Sequence, residues 1–236
     1  VYGVTRHPMD ERLTPGGSSG GCAVAVADGM APLALGTDGG GSSRRPPAHV
    51  GVVGFKPSWG AVPDSIGFPH AFNGLQVIAP IARHVGDAAL LFEAIAGADR
   101  RDPDSVALAA TDERVVRRPR IAYSPRLGLD VPVDADVESA VHAAIARLQQ
   151  AGFDIERADP VWPAGVDEAA LSPLQHVGLA NLFGTAWRED AARFDPDISR
   201  QIERGMDWGG AQVAQAREAG RQIALTLAQF FTRFDF

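Results

Sequence analysis

Cysteine and lysine are almost absent from this 236-residue chain, which contains only Cys22 and Lys56. A single thiol excludes a disulfide framework and a cysteine-rich metal site. Apolar runs fall short of the roughly 20 residues that a membrane-spanning helix needs, and the opening VYGVTRHPMDERL lacks the order of a signal peptide. We therefore expect a cytoplasmic protein with no membrane partner.

Positive charge is also in short supply, because 22 basic residues face 29 acidic ones and the formal net charge is −7. Nucleic-acid backbones are bound by clusters of Lys and Arg, so this balance argues against a nucleic-acid partner. The six histidines show no i,i+4 pair and no other spacing typical of metal ligands. The sequence therefore predicts no metal site.

The chain does contain 45% apolar residues, which is enough for a large core. Apolar positions change between helical and strand-like spacing along the sequence, and this predicts an α/β fold. Asp134 is predicted to cap the helix that ends at Gly152, and Pro196 and Gly209 to interrupt the last helical region. Helices are predicted over 22–30, 85–96, 135–151 and most of 166–231, and strands over 31–38, 120–124, 153–158 and from the final FFTRFDF.

Glycine is concentrated in one part of the chain, since 12 of the 26 glycines lie between residues 16 and 60. Two loops hold most of them, TPGGSSGG over 14–21 and GTDGGGSSRRP over 36–46. Each loop offers consecutive main-chain N–H groups beside serine hydroxyls. Such groups form anion nests or oxyanion holes. One helix and one strand separate the loops, so both can meet at one end of a sheet.

Three other interpretations of these loops are weighed. A phosphate-binding P-loop needs a lysine after its glycines, and neither loop has one. The pattern G-x-S-x-G over 17–21 fits a nucleophile elbow, but the polar DERLTP before it is not the apolar strand that such an elbow follows. Flexible surface loops remain an open alternative on composition alone.

These motifs resemble the amidase signature family of serine hydrolases. The family's GGSSGG stands at 16–21, its G-[ST]-D-x-G-G-S-[IV]-R-x-P at 36–46 and its G-[LVF]-K-P-[ST]-x-G at 54–60. The segments APIARHVGDAA at 79–89 and ADRRDPDS at 98–105 are similar to segments that follow in the family. The resemblance is specific over residues 1–105 and extends over 106–236 only as a pattern. It implies an α/β/α sandwich around one large mixed sheet.

The resemblance also implies roles for individual residues. Ser42 would be the nucleophile, and Ser18, preceded by a cis peptide bond, would be the bridging serine of a Ser–cisSer–Lys arrangement. The resemblance assigns the oxyanion hole to the amides of Gly39, Gly40, Gly41 and Ser42, and support of the loop to Asp38, Arg44 and Ser19.

The base of that arrangement is where this chain departs from the family. In the family the catalytic lysine lies well upstream of GGSSGG, before the point where this chain begins, and Lys56 lies in the motif whose lysine is structural. His49 is the other candidate base, because it follows Ser42 closely in sequence. We expect a single domain over 1–236 that is truncated at both ends and has no amidase activity by itself.

The resemblance thus implies hydrolysis of a small-molecule carboxylic amide to an acid and ammonia or an amine, through an acyl-enzyme. It implies no metal or organic cofactor and is compatible with a homodimer. Two alternatives stay open. One is a glutaminase-type subunit of a tRNA-dependent amidotransferase, although the Ser-Leu-Asp-Gln stretch typical of that branch is replaced by residues 72–76, FNGLQ. The other is a catalytically dead relative that binds ligands.

Overall fold

The structure, a computed structural model, describes residues 3–64, 70–72, 74–107, 119–165 and 167–236. The chain divides into two compact units, Val1–Thr111 and Asp112–Phe236. Both units combine helices with strands, so the fold is mixed α/β as the sequence predicts. The expectation that 1–236 forms one domain stays a prediction.

The first unit contains a three-stranded antiparallel sheet in the order β1–β3–β2. Strand β3 is central and almost wholly buried, and it pairs with β1 from Leu33↔Ala82 to Asp38↔Val77. This register fixes the point at which β1 ends and the second glycine loop begins. The elements are α1 (Gly20–Ala27), β1 (Leu33–Asp38), α2 (Arg45–Val50), β2 (Val53–Gly54), β3 (Val77–Ala82) and α3 (Val85–Ile95).

Small residues let α1 lie close to this sheet. Ala23 and Val26 of the helix are fully buried, as are Ala79 and Ile81 of β3. The predicted helices at 22–30 and 85–96 and the strand at 31–38 are thereby confirmed, with ends shifted by up to three residues. The core of this unit lies under α1, where it holds the two serine-bearing loops in place.

The second unit begins with the predicted strand–helix–strand arrangement. Strands β4 and β5 are parallel, with Ile121 opposite Ile155, and α4 connects them. The Asp134 carboxylate accepts a hydrogen bond of 2.9 Å from Asp136 N, which confirms the predicted cap. The elements are β4 (Arg120–Tyr123), α4 (Ala135–Gln150), β5 (Asp154–Arg157), α5 (Ser172–Glu189), α6 (Pro196–Asp207) and α7 (Gly210–Phe230).

The predicted interruptions of the last helical region coincide with the starts of α6 and α7. Pro196 is the first residue of α6, where its missing N–H has no cost, and Gly209 precedes α7. The strand predicted for the final FFTRFDF is not formed, since α7 extends to Phe230 and a turn follows it, although Ala122 N of β4 donates to Phe236 O over 2.8 Å.

The described residues form an antiparallel sheet of three strands in the first unit and a parallel sheet of two in the second, within the mixed α/β fold that the resemblance implies. The polar stretch 98–120 is predicted to be a surface connection, and its residues 108–118 lie outside the described ranges. Among the described residues, no helix combines the length and the apolar character needed to cross a membrane.

Candidate active site

The two glycine–serine loops meet, and their meeting point is a pair of serine hydroxyls. Ser18 lies directly before α1, and Ser42 lies between the end of β1 and the start of α2. Their side-chain oxygens are 2.7 Å apart. The peptide bond between Gly17 and Ser18 is cis, as expected for the bridging serine.

The oxygen of Ser42 is buried among four polar neighbours. The amide N–H groups of Ser18 and Ser19 donate to it over 3.0 Å and 2.8 Å. The hydroxyl oxygens of the same two residues lie at 2.7 Å and 2.9 Å. Since a hydroxyl oxygen has two lone pairs, the two amides occupy both. The hydrogen of Ser42 is therefore directed at Ser18 or Ser19.

The two candidate acceptors differ in what else they bind. Ser19 Oγ donates to Thr37 O and accepts from Thr37 N, each over 3.2 Å, so its hydroxyl is tied to β1. Ser18 is exposed, and within the described part of the chain its hydroxyl has no other hydrogen-bond partner. Ser18 is therefore the serine that can both accept a proton from Ser42 and release it.

Ser19 is the residue whose contribution the sequence understated. It was expected only to support the loop, yet it contacts Ser42 through both its amide and its hydroxyl. A serine before a helix normally caps that helix with its side chain, but α1 has no side-chain cap hydrogen bond. The hydroxyl is used for Thr37 and Ser42 instead, which the sequence pattern could not reveal.

Asp38 organises the turn that presents Ser42. Its carboxylate is fully buried and accepts hydrogen bonds of 2.7 to 3.1 Å from Gly41 N and from the amide and hydroxyl of Ser43. Arg44 adds a bidentate pair, with both nitrogens at 2.9 Å. Burial alone would raise the pKa of Asp38, but the hydrogen bonds from Arg44, Gly41 and Ser43 outweigh it and lower that pKa to about 2.

The glycine amides next to Ser42 are not equivalent. The N–H of Gly41 is donated to Asp38, so the expectation that this amide lines an oxyanion hole needs correction. Among the described residues, the N–H groups of Gly39, Gly40 and Ser42 have no assigned acceptor. Gly40 is exposed, while Gly39 lies under the ring of Phe72. The amides left for an oxyanion are those of Gly39, Gly40 and Ser42.

Neither candidate base is hydrogen-bonded to the serine pair. Lys56 Nζ donates to Pro57 O over 3.0 Å, and burial is the largest of the influences that lower its pKa. The ring of His49 lies against Gly16, where a β-carbon would be 3.1 Å from Nδ1. The structure therefore brings Ser18, Ser19 and Ser42 together with Asp38 and Arg44. Among the described contacts, neither Lys56 nor His49 donates a side-chain hydrogen bond to this group.

Comparison with known proteins finds relatives that match most of this chain. The family model described as Amidase matches residues 1–235. Among curated proteins, a glutamyl-tRNA(Gln) amidotransferase subunit from Symbiobacterium thermophilum is 39% identical over 199 residues, which cover 82% of this chain and 40% of the relative. The putative amidase AmiB2 of Mycobacterium bovis is 46% identical over 169 residues, covering 70% of this chain and 35% of the relative.

A solved structure extends the similarity to the fold. A bacterial aryl acylamidase of the amidase signature family superimposes with a TM-score of 0.86 and 29% identity. The match covers 99% of this chain and 50% of the acylamidase. The chain thus spans half or less of the length of these relatives.

Proposed function

The chain belongs to the amidase family, and on that premise we propose that its protein hydrolyses a carboxylic amide to an acid and ammonia or an amine. Ser42 is the nucleophile and Ser18 relays its proton. The observation that carries this assignment is the 2.7 Å contact between the side-chain oxygens of Ser18 and Ser42. Ser18 is exposed, so its hydroxyl is also accessible from outside this pair. This geometry suits a two-step proton transfer.

The first half-reaction makes an ester on Ser42. Ser18 Oγ takes the proton of Ser42 as Ser42 Oγ forms a bond to the amide carbonyl carbon. The carbonyl oxygen then carries negative charge. Collapse of this intermediate breaks the C–N bond, and the nitrogen leaves with the proton that Ser18 returns. Water then attacks the ester by the same relay and releases the acid.

The amides around the serine pair stabilise the charges in this scheme. Gly39, Gly40 and Ser42 supply the N–H groups for the carbonyl oxygen, and losing one such donor typically costs about 10²–10³ in rate. The amides of Ser18 and Ser19 point at Ser42 Oγ itself. They stabilise the alkoxide character that develops as the proton leaves.

A base must accept the proton from Ser18. Within the described ranges, no lysine, histidine or carboxylate is hydrogen-bonded to Ser18 Oγ. The family resemblance assigns this role to a lysine outside these 236 residues. We accordingly keep the prediction that the chain by itself does not hydrolyse amides.

The glutaminase-type subunit is the second candidate, supported by the name of the relative from Symbiobacterium thermophilum. Both candidates use the same serine pair, so substrate and partner distinguish them. The broad-specificity amidase acts alone on simple amides, whereas the amidotransferase component releases ammonia from glutamine only in its complex. The predicted homodimer stays a prediction under either candidate.

The test is hydrolysis of an aryl amide and of glutamine by the full-length protein. Release of aniline with wild-type protein, lowered at least about 10⁴-fold in Ser42→Ala, is the expected result. The exposed Ser58→Ala variant is the matched control and should keep its rate. Undiminished turnover by Ser42→Ala overturns the assignment of the nucleophile. Ammonia released from glutamine only after partner subunits are added, with no aryl amide hydrolysed, identifies the second candidate instead.

A further inference from the structure

A cavity of about 120 Å³ lies in the first unit, beyond the residues assigned to the serine chemistry. Its volume exceeds the roughly 30 Å³ that one water molecule occupies in the liquid, so it has room for a small polar head group. No Lys or Arg is among the described residues that line it. The lining residues with polar or aromatic side chains are Trp59, Asp64, His70, Gln76, Asp102 and Asp104.

Two buried acceptors in this cavity lack partners. The side chain of Asp64 is only 10% exposed, and neither of its oxygens has an aligned hydrogen bond with a described residue. His70 Nε2 is 2.8 Å from Asp64 Oδ2, at ion-pair distance but outside hydrogen-bond alignment. The Nδ1 atom of the same ring is buried and has no hydrogen-bond partner among the described residues.

Asp102 cannot satisfy the Asp64 oxygens, because an ionised carboxylate has no hydrogen to donate. One oxygen accepts from Asp64 N over 2.8 Å, and the other accepts from Asp104 N over 3.0 Å. Asp102 thus fixes the main chain of Asp64 while adding a second negative charge to the wall. Buried anions without partners are costly, and a cation that donates hydrogen bonds removes the cost.

The chemistry of the lining selects among cations. Within the described residues, no group of three or more His, Cys, Asp or Glu side chains is placed to hold a metal ion. A primary ammonium needs fewer ligands, since its three N–H groups can donate to the two oxygens of Asp64. The indole of Trp59, 6.0 Å from the His70 ring, offers an aromatic wall of the kind that favours cations.

The cavity is next to the loop that carries Ser42. Gln76 lines the cavity, and its β-carbon would be 3.6 Å from a β-carbon placed on Gly39. Gly39 is one of the proposed oxyanion donors, so a single side chain separates the two sites. An amide bound at Ser42 can therefore direct one of its ends towards the cavity.

From these contacts we propose that the cavity binds a primary ammonium group carried by the amide substrate, with Asp64 as the residue that determines this specificity. The proposal rests on the proposed amide hydrolysis. It names the substrate class as amides with a free amino group at one end. Asp64 recognises the ammonium through its buried oxygens, which have no aligned hydrogen bond with a described residue.

Two measurements test it on the full-length protein. In the first, methylammonium chloride is titrated while the NMR signals of the His70 ring are followed, with sodium acetate as the comparison. Saturable shifts with methylammonium alone are expected, and they should vanish in Asp64→Asn. This variant should fold normally, because the Asp64 oxygens make no aligned hydrogen bond to lose. Asp87→Asn, an exposed change on α3, is the control and should bind like wild type.

In the second measurement, short ω-amino anilides are compared with their methyl-terminated isosteres. The wild-type protein should favour the ammonium substrates in kcat/KM by about tenfold or more, and Asp64→Asn should bring this ratio near one. If neutral anilides are hydrolysed, but ammonium substrates are not preferred and methylammonium does not bind, the ammonium site is wrong. The proposed amide hydrolysis then still stands. Loss of hydrolysis of every anilide would instead count against the proposed function.

Discussion

The identity of a residue does not specify which hydrogen bonds it makes, and the serines around the side-chain oxygen of Ser42 are an example. The sequence supplies Ser18, Ser19 and Ser42 and, through the family resemblance, the order of their roles. It cannot tell that Thr37 ties the hydroxyl of Ser19 to a strand and leaves Ser18 free. That distinction depends on the antiparallel pairing of β1 with a strand some forty residues later, which is a tertiary contact.

This difference predicts unequal effects of two adjacent substitutions in the full-length protein. Ser18→Ala removes the proton relay and should lower kcat by about 10²–10⁴-fold, the usual range for a general acid–base group. Ser19→Ala keeps the relay and both amide donors to Ser42, and should cost much less. Steady-state kinetics on an aryl amide measures both. Equal losses, or a larger loss in Ser19→Ala, would show that Ser18 is not the relay.

Asp38 gives a prediction about pH. Its pKa is lowered from 3.8 to about 2 in the folded chain, so the unfolded chain binds the proton more tightly. The stabilisation is therefore fully present above pH 4 and is lost as the pH falls towards 2. By linkage it amounts to on the order of 2 kcal/mol.

Urea unfolding of wild type and Asp38→Asn at several pH values measures this contribution. The difference in unfolding free energy should be large at pH 6 and shrink below pH 4, whereas exposed Asp28→Asn should follow wild type throughout. A difference that stays constant from pH 6 to pH 3 would mean that ionised Asp38 does not stabilise the fold.

At the scale of elements, local pattern was sufficient for most helices and for the parallel strand pair. The spacing of Val137, Val141 and Leu148 predicts α4 correctly, and Asp134 sets its start. The same spacing predicts a buried face, yet these three side chains are 54%, 41% and 39% exposed. Periodicity determines which side of a helix is apolar, but the residues that cover that side come from elsewhere in a structure.

Strand β2 lies within the short apolar run 51–57, and its position depends on close contact between the backbone of Gly54 and that of Ser43. A β-carbon on Gly54 would overlap the carbonyl oxygen of Ser43 and come within 2.7 Å of Pro47 Cγ. The backbone of Gly54 thus supports the residue that follows Ser42. Only glycine allows this contact.

Gly54→Ala should therefore destabilise the chain by about 1–3 kcal/mol or more, as overpacking does. Gly86→Ala is the matched control, because a β-carbon there meets nothing within 4 Å and α3 should gain from the change. Thermal unfolding followed by circular dichroism compares the two. A Gly54→Ala variant as stable as wild type would show that the contact with Ser43 can relax at no cost.

At the scale of the whole molecule, the chain contains the serine pair and its support but spans half or less of the matched relatives. The signature motifs predicted that the two serine-bearing loops meet, because they encode short-range geometry: two loops, a helix and a strand. The pairing of the strands could not be predicted, and the described strands form an antiparallel sheet of three and a parallel sheet of two. Sheet size depends on long-range pairing that no local pattern specifies.

The central claim is that Ser42 is the nucleophile and that the full-length protein activates it. Mass spectrometry of that protein after reaction with a fluorophosphonate tests this most directly, because the reagent forms a covalent bond with an activated serine. We expect the adduct on the peptide that contains Ser42, strong in wild type, weak in Ser18→Ala and absent in Ser42→Ala. An adduct on another serine, or equal labelling of Ser42→Ala, would contradict the account.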